Sequence, residues 1–108
     1  MNKGKHLGEF EIIVLSALIG LGKNAYGVGI RQTIAERINR DVAIGAVYAT
    51  LARLEEKGLV TSKTGNSTPE RGGRAKRIFT VSVEGQTRLQ LSINAMRRMT
   101  DGIVNWSE

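Results

Sequence analysis

A mainly helical domain closed by a β-hairpin is the fold class that this 108-residue sequence predicts, and three observations predict it. Apolar residues recur at helical spacing through three successive segments that end near Lys57. Two short runs rich in Val, Ile, Phe and Thr, Leu59 to Lys63 and Arg77 to Val81, then flank a stretch of turn formers. A last helical pattern begins after Ser82. A chain of this length supports one modest core. At 41% hydrophobic and 24% charged the composition is that of a globular protein, with only Met1 to Lys5 expected to be loose.

In the first helix Leu7, Phe10, Val14, Leu18 and Leu21 share one face, and Ile12, Ile13, Leu15 and Ile19 fill the others before Gly20 and Gly22 end it. A helix apolar nearly all round exceeds what a small domain covers, so part of it is expected against a second subunit. The second helix is expected to start after Asn24 as N-cap, with Ile30, Ile34 and Ile38 inward and Arg31, Gln32, Glu36 and Arg37 outward. Asn39 to Asp41 is the turn. The third helix, Ile44 to Lys57, buries Ile44, Val47, Leu51 and Leu54 and stops at Gly58 in the C′ position.

Between the two strands lie Gly65, Asn66, Ser67, Pro69, Gly72 and Gly73, which imply a long mobile hairpin tip. Three helices followed by two strands is the order of a winged helix-turn-helix, expected over residues 1–81, with a C-terminal dimerisation helix over 82–108. Ser82 is the expected N-cap of that helix, which runs to about Val104. Leu89, Ile93, Met96, Thr100 and Ile103 alternate spacings of four and three, a short coiled-coil seam, and Leu91, Ala95, Met99 and Trp106 widen its apolar arc. The dimer interface is expected from Leu89, Ile93, Met96 and Ile103, lined by Ile12, Leu15 and Ile19 of the first helix.

The net charge of +6 points to a polyanionic partner, and its placement says more than its size. Residues 1–60 carry an excess of +2, residues 61–81 an excess of +4 and residues 82–108 none. A charge that merely solubilised the chain would be spread evenly, although a solvated basic loop is the bland alternative. Without cysteine there is no disulfide or thiolate metal site, which fits a reducing cytoplasm. Glu9 and Glu11 break the first apolar stretch, so it is neither a signal peptide nor a membrane span. The single histidine, His6, has no cysteine or acid cluster with it, and Glu9 and Glu11, two apart, point to different sides of a helix. No enzyme and no cofactor are expected.

The third helix and the basic run Glu70 to Arg77 carry the functional reading. Opposite the buried stripe lie Gly45, Ala46, Ala49, Ala52 and Arg53, with Tyr48 and Thr50 on the flanks. Small side chains let a helix sit deep in a major groove, where only Tyr48, Thr50 and Arg53 offer hydrogen bonds, so base readout is expected to be sparse. In the hairpin tip Arg71, Arg74 and Lys76 suit phosphates, and Gly72 and Gly73 permit close approach to a backbone or entry into a minor groove. Each has a plainer alternative: Tyr48 as core filler under the hairpin, and Arg53 in a surface pair with Glu56.

The runs LGEFEIIVLSAL, AYGVGIRQ, DVAIGAVYATLARLEEKGLV and TPERGGRAKRIFTV resemble the PadR family of bacterial winged-helix transcriptional regulators, over about Leu7 to Gly85. The most specific parts are Gly45-Ala46-Val47-Tyr48 with Leu51, Leu54 and Gly58, and the Pro-Glu-Arg-Gly-Gly-Arg wing. The short C-terminal region resembles the small subgroup with a single dimerising helix. The resemblance implies a homodimeric repressor that sets two recognition helices in successive major grooves of double-stranded DNA and is released by a small-molecule effector. For a small aromatic effector the expected cleft lies between paired helices at Met96 and Met99, whose thioethers adapt to flat rings. Ala43 stands where the family often has a capping Ser, and Val83 where it commonly has Pro. The alternative function is a winged helix used for protein contacts without sequence-specific DNA binding.

Overall fold

The computed structural model describes residues 6–22, 25–65 and 77–103. Its elements run α1 (Glu9–Leu21), α2 (Gly27–Ile38), α3 (Ile44–Glu56), β1 (Val60–Thr64), β2 (Arg77–Val81) and α4 (Val83–Thr100). This is the mainly helical architecture with a hairpin wing that the periodicity predicts.

Helix α1 forms the centre, packing on α2, α3, α4 and β2. Its N-terminus closes through a capping box, in which the Gly8 amide donates to Glu11 Oε1 at 2.9 Å, and Gly22 ends it at φ +69°. Val14, Leu15, Ile30, Val47, Leu51, Leu54, Leu59 and Val60 are fully enclosed, and Phe79 and Leu89 seal the cluster from the hairpin and from α4. Burying branched aliphatic residues from every element in one cluster removes each of them from water, the largest favourable term in a domain of this size.

Helix α2 starts later than the sequence suggests. Its N-cap is Tyr26, in extended backbone, because Ala25 is held in a bridge to Phe79, whose amide donates to the Ala25 carbonyl at 3.0 Å. A short third strand position therefore extends the hairpin. Asn24, the expected cap, lies outside the described residues. At the other end Asn39 adopts the left-handed conformation, and Ile38 before it is exposed rather than inward.

Strands β1 and β2 pair antiparallel from Val60↔Val81 to Thr64↔Arg77, so the hairpin base is anchored in the core while its far end runs outward. Gly58, at φ +79°, makes the turn from α3 into β1. Ser82 caps α4 as expected, its Oγ accepting from the Gly85 amide at 3.0 Å and donating to the Gly58 carbonyl at 2.8 Å. Gly85 lies so close to the Leu59 carbonyl and Val81 that any side chain there would overlap them. Helix α4 ends at Thr100, short of the expected Val104: Asp101 is already in extended backbone, and Gly102 follows at φ +83°. Ile103 thus sits in the turn and not in helical register with the seam, and Val104 and Trp106 lie outside the described residues.

Candidate nucleic-acid interface

Helix α3 buries one stripe and leaves the other face open. Val47, Thr50, Leu51 and Leu54 point inward, and Gly45, Ala46, Tyr48, Ala49, Ala52, Arg53 and Glu56 are exposed. Thr50 corrects the sequence reading, which put it among the base-reading residues: it is only 2% exposed. Three positions after Val47 and four before Leu54, it lies over the buried stripe rather than beside it. The outer face is accordingly a shallow surface of glycine and alanine between Tyr48 and Arg53.

Ala43, the N-cap of α3, makes no side-chain hydrogen bond, and the amides of Ala46 and Val47 return only to its carbonyl, at 3.0 and 3.2 Å. The first turn carries no acidic side chain. The positive end of the helix dipole is thus left uncompensated at the edge of the open face.

Tyr48 is 43% exposed. Its ring leans on Phe79, with centroids 6.4 Å apart and planes tilted by 53°, and covers Gly27 so closely that a Cβ there would overlap it. The residue is therefore half packing and half surface. Part of the ring seals α2 against the hairpin, and the rest borders the open face.

Arg53 stands on the open face, as expected of a base-reading residue, but its ion pair is not with Glu56. Its Nε lies 3.9 Å from Glu11 Oε2, on α1, and its Nη2 donates to Thr50 Oγ1 at 3.5 Å. Sequence reasoning noted Glu11 only as a break in an apolar stretch and gave neither it nor Lys57 a place at the site. Glu11 faces inward from α1, its side chain only 10% exposed, and Lys57 Nζ donates to its Oε2 at 2.8 Å. Burial would raise the Glu11 pKa; the hydrogen bonds from Lys57 and from the Gly8 amide, with the nearby charges of Lys57 and Arg53, outweigh it and hold the carboxyl below its ordinary value. Glu9, two residues earlier, points outward to Arg40 at 3.3 Å, as the helical spacing requires. The available signal was an acid at an otherwise apolar inward position, which demands a cationic partner.

The expected wing residues Arg71, Gly72, Gly73, Arg74 and Lys76 lie outside the described residues. The expected interface residues divide. Leu15 and Leu89 are enclosed within the protomer's own core, at 0% and 6% exposure, and so leave nothing for a partner to bury. Leu15 was assigned on an all-apolar helix, where periodicity cannot say which side faces inward, and Leu89 on the α4 seam, whose first half packs on α1 and β2 of the same protomer. Ile93 packs partly on that core, and Ile12 lines a groove of about 320 Å³ between α1 and α2, with Ile13, Thr33, Ile34, Arg37 and Ile38 among its walls. Ile19, Met96, Met99 and Ile103 remain largely open to solvent. Among the described residues there is no cluster of His, Asp or Glu that could hold a metal, and no helix long and apolar enough to cross a membrane.

This arrangement is shared with known proteins. A PadR family transcriptional regulator from Eggerthella lenta DSM 2243 superposes with a TM-score of 0.73 at 23% identity, over 87% of this chain and 77% of that one. A PadR family regulator from Clostridium difficile R20291 does so at 0.70 and 21%, over 91% of this chain and 100% of its own. Bacillus subtilis PadR, solved in complex with operator DNA, gives 0.68 and 18% over 79% of this chain, which spans only 46% of that longer protein. At these identities the likeness shows the fold. A search of curated proteins finds no significant match. The model of the transcriptional regulator PadR-like family, however, matches residues 14–91, from the middle of α1 well into α4. The chain belongs to the PadR-like family of transcriptional regulators, which are not enzymes.

Proposed function

We propose that this chain is a homodimeric repressor that reads double-stranded DNA with α3, clamps the backbone with its hairpin tip, and is released by a small-molecule effector. The observation that carries the DNA-binding reading is the outer face of α3. It is a run of Gly45, Ala46, Ala49 and Ala52 with no bulky side chain to hold it off a groove, bordered by Tyr48 and Arg53 and starting at an uncapped helix end. The excess positive charge of residues 61–81, the segment whose strand β1 packs on α3, would supply the salt-dependent attraction to phosphates. The operator complex of Bacillus subtilis PadR, of the same fold, supports double-stranded DNA as the partner.

Two recognition helices demand a dimer, and the apolar surface left open at Ile19, Met96, Met99 and Ile103 is the surface a second copy would cover. A two-fold axis through that contact sets half-sites about one turn, roughly 34 Å, apart. An aromatic effector would enter between the paired α4 helices at Met96 and Met99. Selection of sites from random duplexes tests the whole reading. The expected result is a near-palindrome whose affinity falls steeply with salt. Selection that returns no sequence, together with weak binding indifferent to salt, would refute it.

A further inference from the structure

We infer that Glu11, a buried residue of α1 that takes no part in the exposed face of α3 itself, sets base discrimination by holding Arg53 in its reading orientation. This rests on the DNA-binding reading above. Both oxygens of Glu11 are committed. Oε1 accepts from the Gly8 amide at 2.9 Å, which ties the carboxylate to the backbone of its own helix. Oε2 accepts from Lys57 at 2.8 Å and lies 3.9 Å from Arg53 Nε. A carboxylate that is enclosed and pinned from behind cannot follow the recognition helix, so the longer cationic chains follow it.

Arg53 is the mobile member of the set, with 56% of its side chain exposed. Left alone on a helix of alanines, such a chain would sample many rotamers and contribute mostly charge. Here its Nε edge faces Glu11 and its Nη2 reaches Thr50 Oγ1, which is itself locked in the core. The Nη1 end has no partner among the described residues and is left to the groove. Guanine offers two major-groove acceptors to a guanidinium, so the base class this geometry suits is guanine. Preorganisation matters because a side chain already held in place loses less freedom when it binds. Glu11 is therefore a positioning residue, whereas Arg53 makes the contact.

The test uses the full-length protein and the duplex that wild type selects from a randomised pool, together with copies carrying each single base-pair change in one half-site. Glu11→Gln keeps the acceptor for Gly8 and removes the charge that draws Arg53. The expected result is a fall of about fivefold to tenfold in preference for guanine at the position read by Arg53, a fraction of what a whole bidentate contact is worth. Discrimination elsewhere should stay within twofold or so, and non-specific affinity should not fall, since a negative charge has been removed. In an Arg53→Ala background the same Glu11→Gln change should leave the base profile untouched, which a general loosening of the fold would not do. Thr50→Val removes the second anchor of the same guanidinium and provides an independent variant in case Glu11→Gln folds poorly; it should relax the same position. Equal base profiles for wild type, Glu11→Gln and Thr50→Val overturn the inference while leaving DNA binding intact. So does a Glu11→Gln effect that persists without Arg53. A wild-type protein that discriminates no sequences overturns both this inference and the DNA-binding reading.

Discussion

Removing the Glu11 charge should cost stability, and the cost should depend on pH. At neutral pH, Glu11→Gln gives up the charge-assisted hydrogen bond from Lys57 at 2.8 Å but retains the cap on Gly8. Such a bond contributes roughly 1.5 to 3 kcal/mol when enclosed. Lys57 has a third of its side chain in water, so solvent screening trims the figure to about 1 kcal/mol. That corresponds to a melting temperature lower by about 4 to 8 °C in a domain near this size. Glu11→Ala also loses the cap and the buried methylenes, and should cost about 3 kcal/mol in all.

The sign of the pH dependence follows from the direction of the shift. Because the folded-state pKa of Glu11 lies below its ordinary 4.5, the carboxylate's contribution is complete above that value and is lost as the pH falls through the lower, folded one. Wild type should therefore melt above Glu11→Gln at neutral pH, and the two curves should converge in acid once the pH has fallen through the lowered, folded-state value. Differential scanning calorimetry or circular dichroism at stepped pH reads the difference directly. Equal melting temperatures at neutral pH, or a gap that persists unchanged in acid, would refute the assignment of Glu11 as an ionised, hydrogen-bonded anchor.

Other outcomes follow from the same geometry. Gly85→Ala places a Cβ against the Leu59 carbonyl and 2.8 Å from Val81 Cγ1, so the urea midpoint should drop by an amount equivalent to about 1 to 3 kcal/mol with an unchanged slope. Met96→Glu combined with Ile103→Glu alters residues that are open in the protomer, and sedimentation should show a folded monomer with strongly reduced operator affinity; Ile93→Asp is a poorer probe because Ile93 also packs on the protomer's core. Arg74→Ala should weaken binding to all duplexes and flatten the slope of log affinity against log salt by about two units per dimer, one phosphate contact per protomer. An unchanged slope would remove Arg74 from the interface.

The elements themselves were legible because each rests on short-range rules. Helical spacing, the glycine stops after α1 and α3, the Ser82 cap and the β-branched runs of the hairpin depend on neighbours a few positions away. The glycine and alanine face of α3 was legible for the same reason, since one period assigns both of its sides. Residues at the margin of that face were not. Tyr48 lies where the stripe ends, and its exposure depends on how the hairpin closes over Phe79. Thr50, by contrast, lies in register with the stripe and was misplaced because its hydroxyl was read as a groove contact.

By itself the sequence determined the fold class, the small-residue outer face of α3, the concentration of charge around the hairpin and the family resemblance. Only the tertiary structure decided which side of the nearly all-apolar α1 turns inward and how much of α4 the protomer covers, and so withdrew Leu15 and Leu89 from the expected interface while leaving Met96, Met99 and Ile103 open. It alone carried Ala25 to Phe79 and delayed α2, and it alone joined Glu11 to Lys57 and Arg53 across more than forty positions of sequence. The physical reason is common to all of these. A period reports that a residue is apolar or polar with respect to its own helix axis, whereas a contact between elements depends on how two axes are placed. That placement is set by the packing of the whole core and by no local spacing.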